Sequence, residues 1–378
     1  MKKILLATSA LVAMSSVAVA GDIPAAPMAP MVAGFTVVAT GSATIYGWFN
    51  GTGAGTYGIS GKYEGKIKAS KTLDNGADVY AALEFTNTAA VKGTIGYNSA
   101  VGNFAAGYQD LDAHGVSEPG APGIPNIGDE LEDGDKGLTF AGAFIGDATV
   151  ALSNYAPWTA GAPLIGTPVR VTYVSPEFGG FKLGAGIDSA SAYDTAIAGS
   201  FDVSGATVKV GVAFAGPATA TMSTTGKVGA GASVEIAGFT LGGKATYTLA
   251  GGAGATAFEV GAAYATGPFT VSAKYNATDT TAGTGIITAG ARYNENGLDL
   301  IVDGTYSLAA GNAYTVAAGA IYAFTADVTV GATVGYNGTT VLASAGVDYD
   351  LNSNVLIGAG VGYDGANFGA AAGLKVSF

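Results

Sequence analysis

The sequence predicts an all-β fold, an antiparallel barrel whose strands cross a membrane, and three observations carry that prediction. Runs of about ten residues alternate apolar with small or polar side chains, aromatic residues stand at the ends of those runs, and the chain stops on a large aromatic, Phe378, in mid-pattern. The alternation is plainest near the C-terminus. "ADVTVGATVGYN" puts Val328, Val330, Ala332, Val334 and Tyr336 on one face and Thr329, Gly331, Thr333 and Gly335 on the other. "TTVLASAGVDYD" groups Val341 with Ala343, Ala345, Val347 and Tyr349, and "NVLIGAGVGYD" groups Val355 with Ile357, Ala359, Val361 and Tyr363. Short turns such as "YNGTT", "DLNSN" and "YDGAN" separate these runs, as hairpins require.

Residues 1–20 have the layout of a secretory signal peptide: basic Lys2 and Lys3, an apolar stretch from Ile4 to Met14, and small Ala18-Val19-Ala20 at a cleavage site. Cleavage removes two lysines and no acid, so the mature charge becomes 14 − 28 = −14. The Pro- and Ala-rich stretch 21–34 reads as a flexible leader, and 35–378 as the barrel. Elsewhere no run reaches the eighteen or so apolar residues that a transmembrane helix needs. The chain has no cysteine, which excludes disulfides and thiolate metal sites. Its acidic balance and scattered lysines argue against a nucleic-acid partner, because phosphate contacts need a basic surface.

A soluble β-sandwich would alternate too, burying its apolar face in a core. Two features favour the membrane. Tyr275, Tyr293, Tyr306, Tyr322, Tyr336, Tyr349 and Tyr363 close apolar faces that Phe239, Phe258 and Phe269 open, which is the spacing of interfacial girdles. The opposite face is Gly, Ala, Thr, Ser and occasional charges, too small and too wet for a packed core. Counting alternating runs, including short ones at 91–98 and 148–155, gives about five before residue 110 and up to 22 in all, with an even number expected.

One segment breaks the rhythm: "YQDLDAHGVSEPGAPGIPNIGDELEDGDKG", residues 108–137, rich in Gly, Pro and acids. Asp110, Asp112, Glu118, Asp129, Glu130, Glu132, Asp133 and Asp135 fall in it with no Lys or Arg among them. A long structureless connection in a compact domain is usually functional or disordered. With "KTLDNGADVYAALEF" as the first hairpin turn, "YQDLD…GIPNIGDE" as this connection and "GLKVSF" at the end, the chain resembles the outer-membrane general porins of α-proteobacteria. The resemblance implies a trimer of water-filled barrels in the outer membrane of a Gram-negative bacterium, in contact with lipid and lipopolysaccharide. It further implies sixteen strands, a third loop (110–136) folded into the lumen, and passage of small hydrophilic solutes and ions. The arginine cluster that such porins carry opposite the loop is reduced here to Arg170 and Arg292. By the same resemblance, the terminal strand ending in Phe378 is the signal read by the barrel-assembly machinery.

In "GKYEGKIKAS", Lys62, Glu64, Lys66, Lys68 and Ser70 share one face, and Tyr63, Gly65, Ile67 and Ala69 share the other. Lys62, Lys66 and Lys68 are therefore the expected basic pore wall, facing the acidic loop across a transverse field that orients polar solutes. The eight carboxylates and the mature charge of −14 are expected to make the pore prefer cations. Eight carboxylates are also a donor set that a hard cation such as Ca²⁺ would accept, although no EF-hand spacing is present. No enzyme is expected: His114, the sole histidine, reads as an exposed loop residue, and nothing frames Ser117 as a nucleophile. The alternatives in function are an adhesive or structural barrel with a plugged lumen, and a substrate-selective channel.

Overall fold

A strand that crosses hydrocarbon must give every backbone N–H and C=O a partner, so its sheet has to close on itself. The computed structural model describes residues 31–32, 34–50, 56–86, 92–108, 114–125, 169–189, 191–216, 225–250, 254–278, 285–309 and 313–378, and among them there is no helix. A two-residue strand β1 (Met31–Val32) precedes β2 (Phe35–Asn50), β3 (Thr56–Thr72), β4 (Asp78–Thr86), β5 (Lys92–Ser99) and β6 (Gly102–Tyr108). After the long connection come β7 (Val169–Val174), β8 (Phe181–Asp188), β9 (Tyr193–Val203), β10 (Ala206–Gly216) and β11 (Thr225–Ile236). Next are β12 (Phe239–Ala250), β13 (Ala255–Thr266), β14 (Phe269–Thr278), β15 (Ile286–Glu295) and β16 (Leu298–Ser307). The last five are β17 (Tyr314–Ala323), β18 (Val328–Tyr336), β19 (Val341–Asn352), β20 (Val355–Tyr363) and β21 (Phe368–Ser377).

Each strand from β2 to β21 pairs antiparallel with the next, and β21 pairs back with β2 through Ser42–Ser377 to Asn50–Gly369. The ring thus holds twenty strands, between the sixteen that the resemblance implies and the 22 of the run count. The even number stands. β6 pairs directly with β7, so no strand enters the wall between them, and the run at 148–155 lies outside the described residues. A strand spacing of about 4.8 Å and a tilt of about 40° give twenty strands a backbone radius of roughly 20 Å. Such a lumen is too wide to select small solutes unless something narrows it.

Register confirms the two faces. Ile45, Ile95, Leu241 and Val361 stand 56–63% exposed on the outside, as side chains meant for lipid would. The outer face carries aromatics in two belts. At the end where both chain termini lie, Phe104–Tyr173, Phe181–Phe201, Phe239–Tyr264 and Phe269–Tyr293 have ring centroids 4.1–4.9 Å apart. At the other end stand Phe258–Tyr275, Tyr314–Tyr336 and Tyr363–Phe368. Turns at the first end are tight because both central residues take positive φ, as type I′ hairpins need: Ser204-Gly205 (52°, 85°), Ala237-Gly238 (50°, 83°) and Asn296-Gly297 (53°, 78°). Two residues of the expected leader, Met31 and Val32, pair with Thr36 and Phe35. Residues 1–20 lie outside the described residues.

Phe378 completes the seam. Its N–H donates to the carbonyl of Gly41 at 2.9 Å and its carbonyl accepts the N–H of Gly41 at 2.8 Å. Its ring lies on the lipid face over Gly41, where a Cβ would stand 2.9 Å from Phe378 Cζ. Deleting Phe378 removes both bonds and the ring from the closing strand pair, each bond contributing on the order of 1 kcal/mol. We therefore expect lower yield of heat-modifiable barrel in the outer membrane with secretion unchanged, read by gel shift of unheated samples; Phe378→Tyr should behave as the parent. Equal yield from the deletion would show that the terminal residue is dispensable.

Candidate functional site

The inner face is built from the small and polar members of each alternating run, and the described part of the third connection lies against it. Residues 114–125 cross the wall strand by strand. His114 and Val116 meet Gly184 on β8, and Glu118 meets Gly211 on β10 and Gly229 on β11. Pro119 meets Gly231, Gly120 meets Gly242 on β12, Ala121 meets Gly261 on β13, and Ile124 with Pro125 meets Gly290 on β15. Register places these glycines on one face with Lys244 and Lys274, since Gly231 and Lys244, Gly242 and Gly261, and Gly261 and Lys274 are partners. That shared face is the lumen. The wall has no side chain where the loop lies, so the loop backbone beds into a furrow of glycine. Carbonyls of Pro119, Gly120 and Pro125 sit where Cβ atoms of Gly231, Gly242 and Gly290 would be.

Polar contacts hold the segment to the wall. The N–H of Ala121 donates to Glu259 Oε1 at 3.0 Å, and Glu259 faces Lys244 in register. His114 Nε2 pairs with Asp194 Oδ2 of β9, and Asp194 Oδ1 pairs with Arg170 Nη2 of β7. Arg170 Nη1 is 4.0 Å from Asp188 Oδ2 at the end of β8. All four side chains are at most 5% exposed. The expectation of an exposed His114 is corrected: Gly184 leaves room for the imidazole against the wall, and Asp194 supplies its partner. The N–H of Val116 donates to His114 Nδ1 at 3.1 Å. With Nδ1 accepting from the backbone and Nε2 facing Asp194, neither ring nitrogen is placed to take a proton from Ser117, as a triad would require.

Of the eight acids expected in the constriction, Glu118 is described and lies within the lumen. Asp110, Asp112, Asp129, Glu130, Glu132, Asp133 and Asp135 lie outside the described residues, and so does the Ca²⁺ expectation that rests on them. Among the described residues no cluster of metal-ligating side chains occurs. On β3, Lys66 and Lys68 share the inner face with Glu64, as expected from the sequence; Lys62 stands opposite Thr44, and its side chain is outside the described ones. The basic row is compensated locally: Lys66 pairs with Glu84 of β4, Ser42 Oγ donates to Glu64 at 3.2 Å, and Lys68 Nζ lies 5.0 Å from the Tyr80 ring centroid. In a ring of twenty, β3 and β13 stand diametrically apart, so the ladder faces the wall that carries the loop. That wall bears inward lysines of its own, Lys209, Lys227, Lys244 and Lys274, which the sequence reading passed over while looking for arginines. Their signal was available, since each takes a polar position in an alternating run.

An apolar outer face with two aromatic belts, a closed ring of strands and an interior segment define an integral β-barrel of the outer membrane. The sequence model of the Gram-negative porins matches residues 7–337, and the chain belongs to that family. No curated protein matches by sequence. Among solved structures, a mutant of Rh. blastica porin aligns over 91% of this chain and 100% of its own at 12% identity and a TM-score of 0.43. A triple mutant of Rhodopseudomonas blastica porin aligns over the same shares at 13% and 0.43. OmpT of Vibrio cholerae lacking its loop L8 aligns over 91% and 100% at 15% and 0.39.

The furrow makes a direct prediction. Gly231→Val places a branched side chain where the Pro119 carbonyl lies, which displaces the loop toward the pore axis while leaving strand pairing intact. Single-channel conductance should fall, whereas Gly47→Val on the lipid face, whose Cβ meets nothing closer than 3.9 Å, should leave it unchanged.

Proposed function

We propose that the protein is a passive diffusion channel for small hydrophilic solutes and ions, preferring cations. The observation that supports this reading is the segment 114–125 lying inside the barrel. A lumen of roughly 20 Å backbone radius is wide enough for free water. A peptide laid along its inner wall narrows it without filling it, and puts Glu118 in the path of solutes. Selectivity then follows from charge. The lumen side of β3 and β4 holds Lys66 against Glu84, nearly neutral as a pair, so the seven further acids of the third loop set the balance if they too line the pore. A Ca²⁺ ion held by those acids would mask part of that charge. No step of this transport calls for a nucleophile or a redox group, so we read the protein as a channel without enzymatic activity. Export through residues 1–20, insertion by the barrel-assembly machinery through the terminal strand, contact with lipopolysaccharide and assembly as a homotrimer complete the reading.

The test is the zero-current potential across a salt gradient in a planar bilayer. The unmodified channel should be cation-selective, and the selectivity should weaken as salt rises, because the Debye length is about 10 Å at 0.1 M and shrinks further above it. Replacing Asp129, Glu130, Glu132 and Asp133 with Asn or Gln should move the potential toward zero. Replacing Lys62, Lys66 and Lys68 with Gln should move it the other way. Conductance with no shift in either set would place the selectivity elsewhere. A silent bilayer would favour a barrel whose lumen is plugged.

A further inference from the structure

We propose that His114, Asp194 and Arg170 form a clasp that pins the start of the third connection to the barrel wall and thereby sets the aperture of the pore; this rests on the channel reading above. The connection spans residues 109–168, the longest in the chain. His114 lies near its beginning, and Arg170 is the second residue of β7, just past its end. Asp194 on β9 binds both, its two carboxylate oxygens divided between Nε2 of the histidine and Nη2 of the arginine. Asp188 holds Arg170 from the end of β8, so the charged groups facing the histidine from β7, β8 and β9 are one cation and two anions.

The position of these residues gives the clasp its effect. The ladder of β6 and β7 already brings the ends of the connection together, with Tyr108 opposite Val169, and the clasp adds a second fixed point at His114. The glycine furrow fixes where residues 118–125 lie, because their backbone beds against wall positions that carry no side chain. The clasp fixes where the loop starts. Val116 N–H on His114 Nδ1 locks the ring orientation and carries that position into the furrow. A buried charge-assisted contact is worth more than a surface pair, and its loss exposes an unpaired group rather than a solvated one. The loop therefore has one strongly held end from which the rest is aimed.

Single-channel recording of the complete protein tests this. In His114→Ala and Asp194→Asn, conductance steps between sublevels should become about tenfold more frequent, since losing one buried contact to a charged group changes an equilibrium roughly tenfold or more. Heat-modifiable gel mobility should stay that of a folded barrel. Rescue separates positioning from general damage. A Cβ on Gly184 would lie 2.9 Å from Val116 Cβ, nearer than the roughly 3.8 Å that a disulfide spans, so the bond requires residue 116 to move off the wall by about 1 Å. His114→Ala removes the ring atoms that crowd Gly184 most closely. The chain has no cysteine of its own, so Val116→Cys with Gly184→Cys in the His114→Ala background forms one defined bond. Oxidation should restore the quiet trace, and reduction should abolish it again. Failure of the disulfide to form would overturn the placement of the loop. Disulfide formation with sublevel frequency unchanged in every variant would overturn the role in aperture. An unmodified protein that does not conduct would overturn the channel reading itself, and the disulfide readout keeps that failure distinct.

Discussion

Everything in this protein depends on closing a sheet in a solvent that offers no hydrogen bonds. An open edge in hydrocarbon would leave a row of unpaired N–H and C=O groups, each costing several kcal/mol. The last residue and Gly41 therefore exchange two backbone bonds, and β21 completes the ring against β2. The same constraint explains the tight turns at the terminal end, where residues as unsuited to positive φ as Ala237 accept it so that neighbouring strands stay in register.

Closure with twenty strands creates the second problem, an interior too wide to be packed by side chains. The protein meets it with backbone. Glycines at Gly211, Gly231, Gly242, Gly261 and Gly290 clear a path across the inner wall, and the third connection beds into it. Glycine in a strand is unfavourable for its lost entropy and its missing contacts. Here the contacts are restored by the loop itself, and the close approach brings the N–H of Ala121 within hydrogen-bond range of Glu259. The constriction is thus part of the packed structure.

Charge follows the same geometry. Within the described strands the charged residues stand on the inner face, apart from Lys71 and Glu295 at the terminal end, where Lys71 lies over the Phe35 ring and Glu295 accepts from the Tyr293 hydroxyl. Inside, charges are paired across neighbouring strands, as in Lys66 with Glu84 and Arg292 with Asp299. The inner wall is therefore polar, with charges balanced between neighbouring strands at these pairs.

The sequence by itself determined the class of fold and the two faces of each strand, because side-chain direction in a strand repeats every two residues and is therefore written locally. It placed Lys66 and Lys68 on the inner face and five strands ahead of the long loop, and both hold. Tertiary structure decided the rest. Strand number depends on which alternating runs join the ring, and the direct pairing of β6 with β7 shows that alternation alone does not admit a run to the wall. The burial of His114 came from Gly184 and Asp194, which are distant in sequence and meet it only when the barrel closes. The glycine furrow was invisible for the same reason. A glycine in one strand reads as a weak position, and seven of them on six strands are a track only once register sets them side by side.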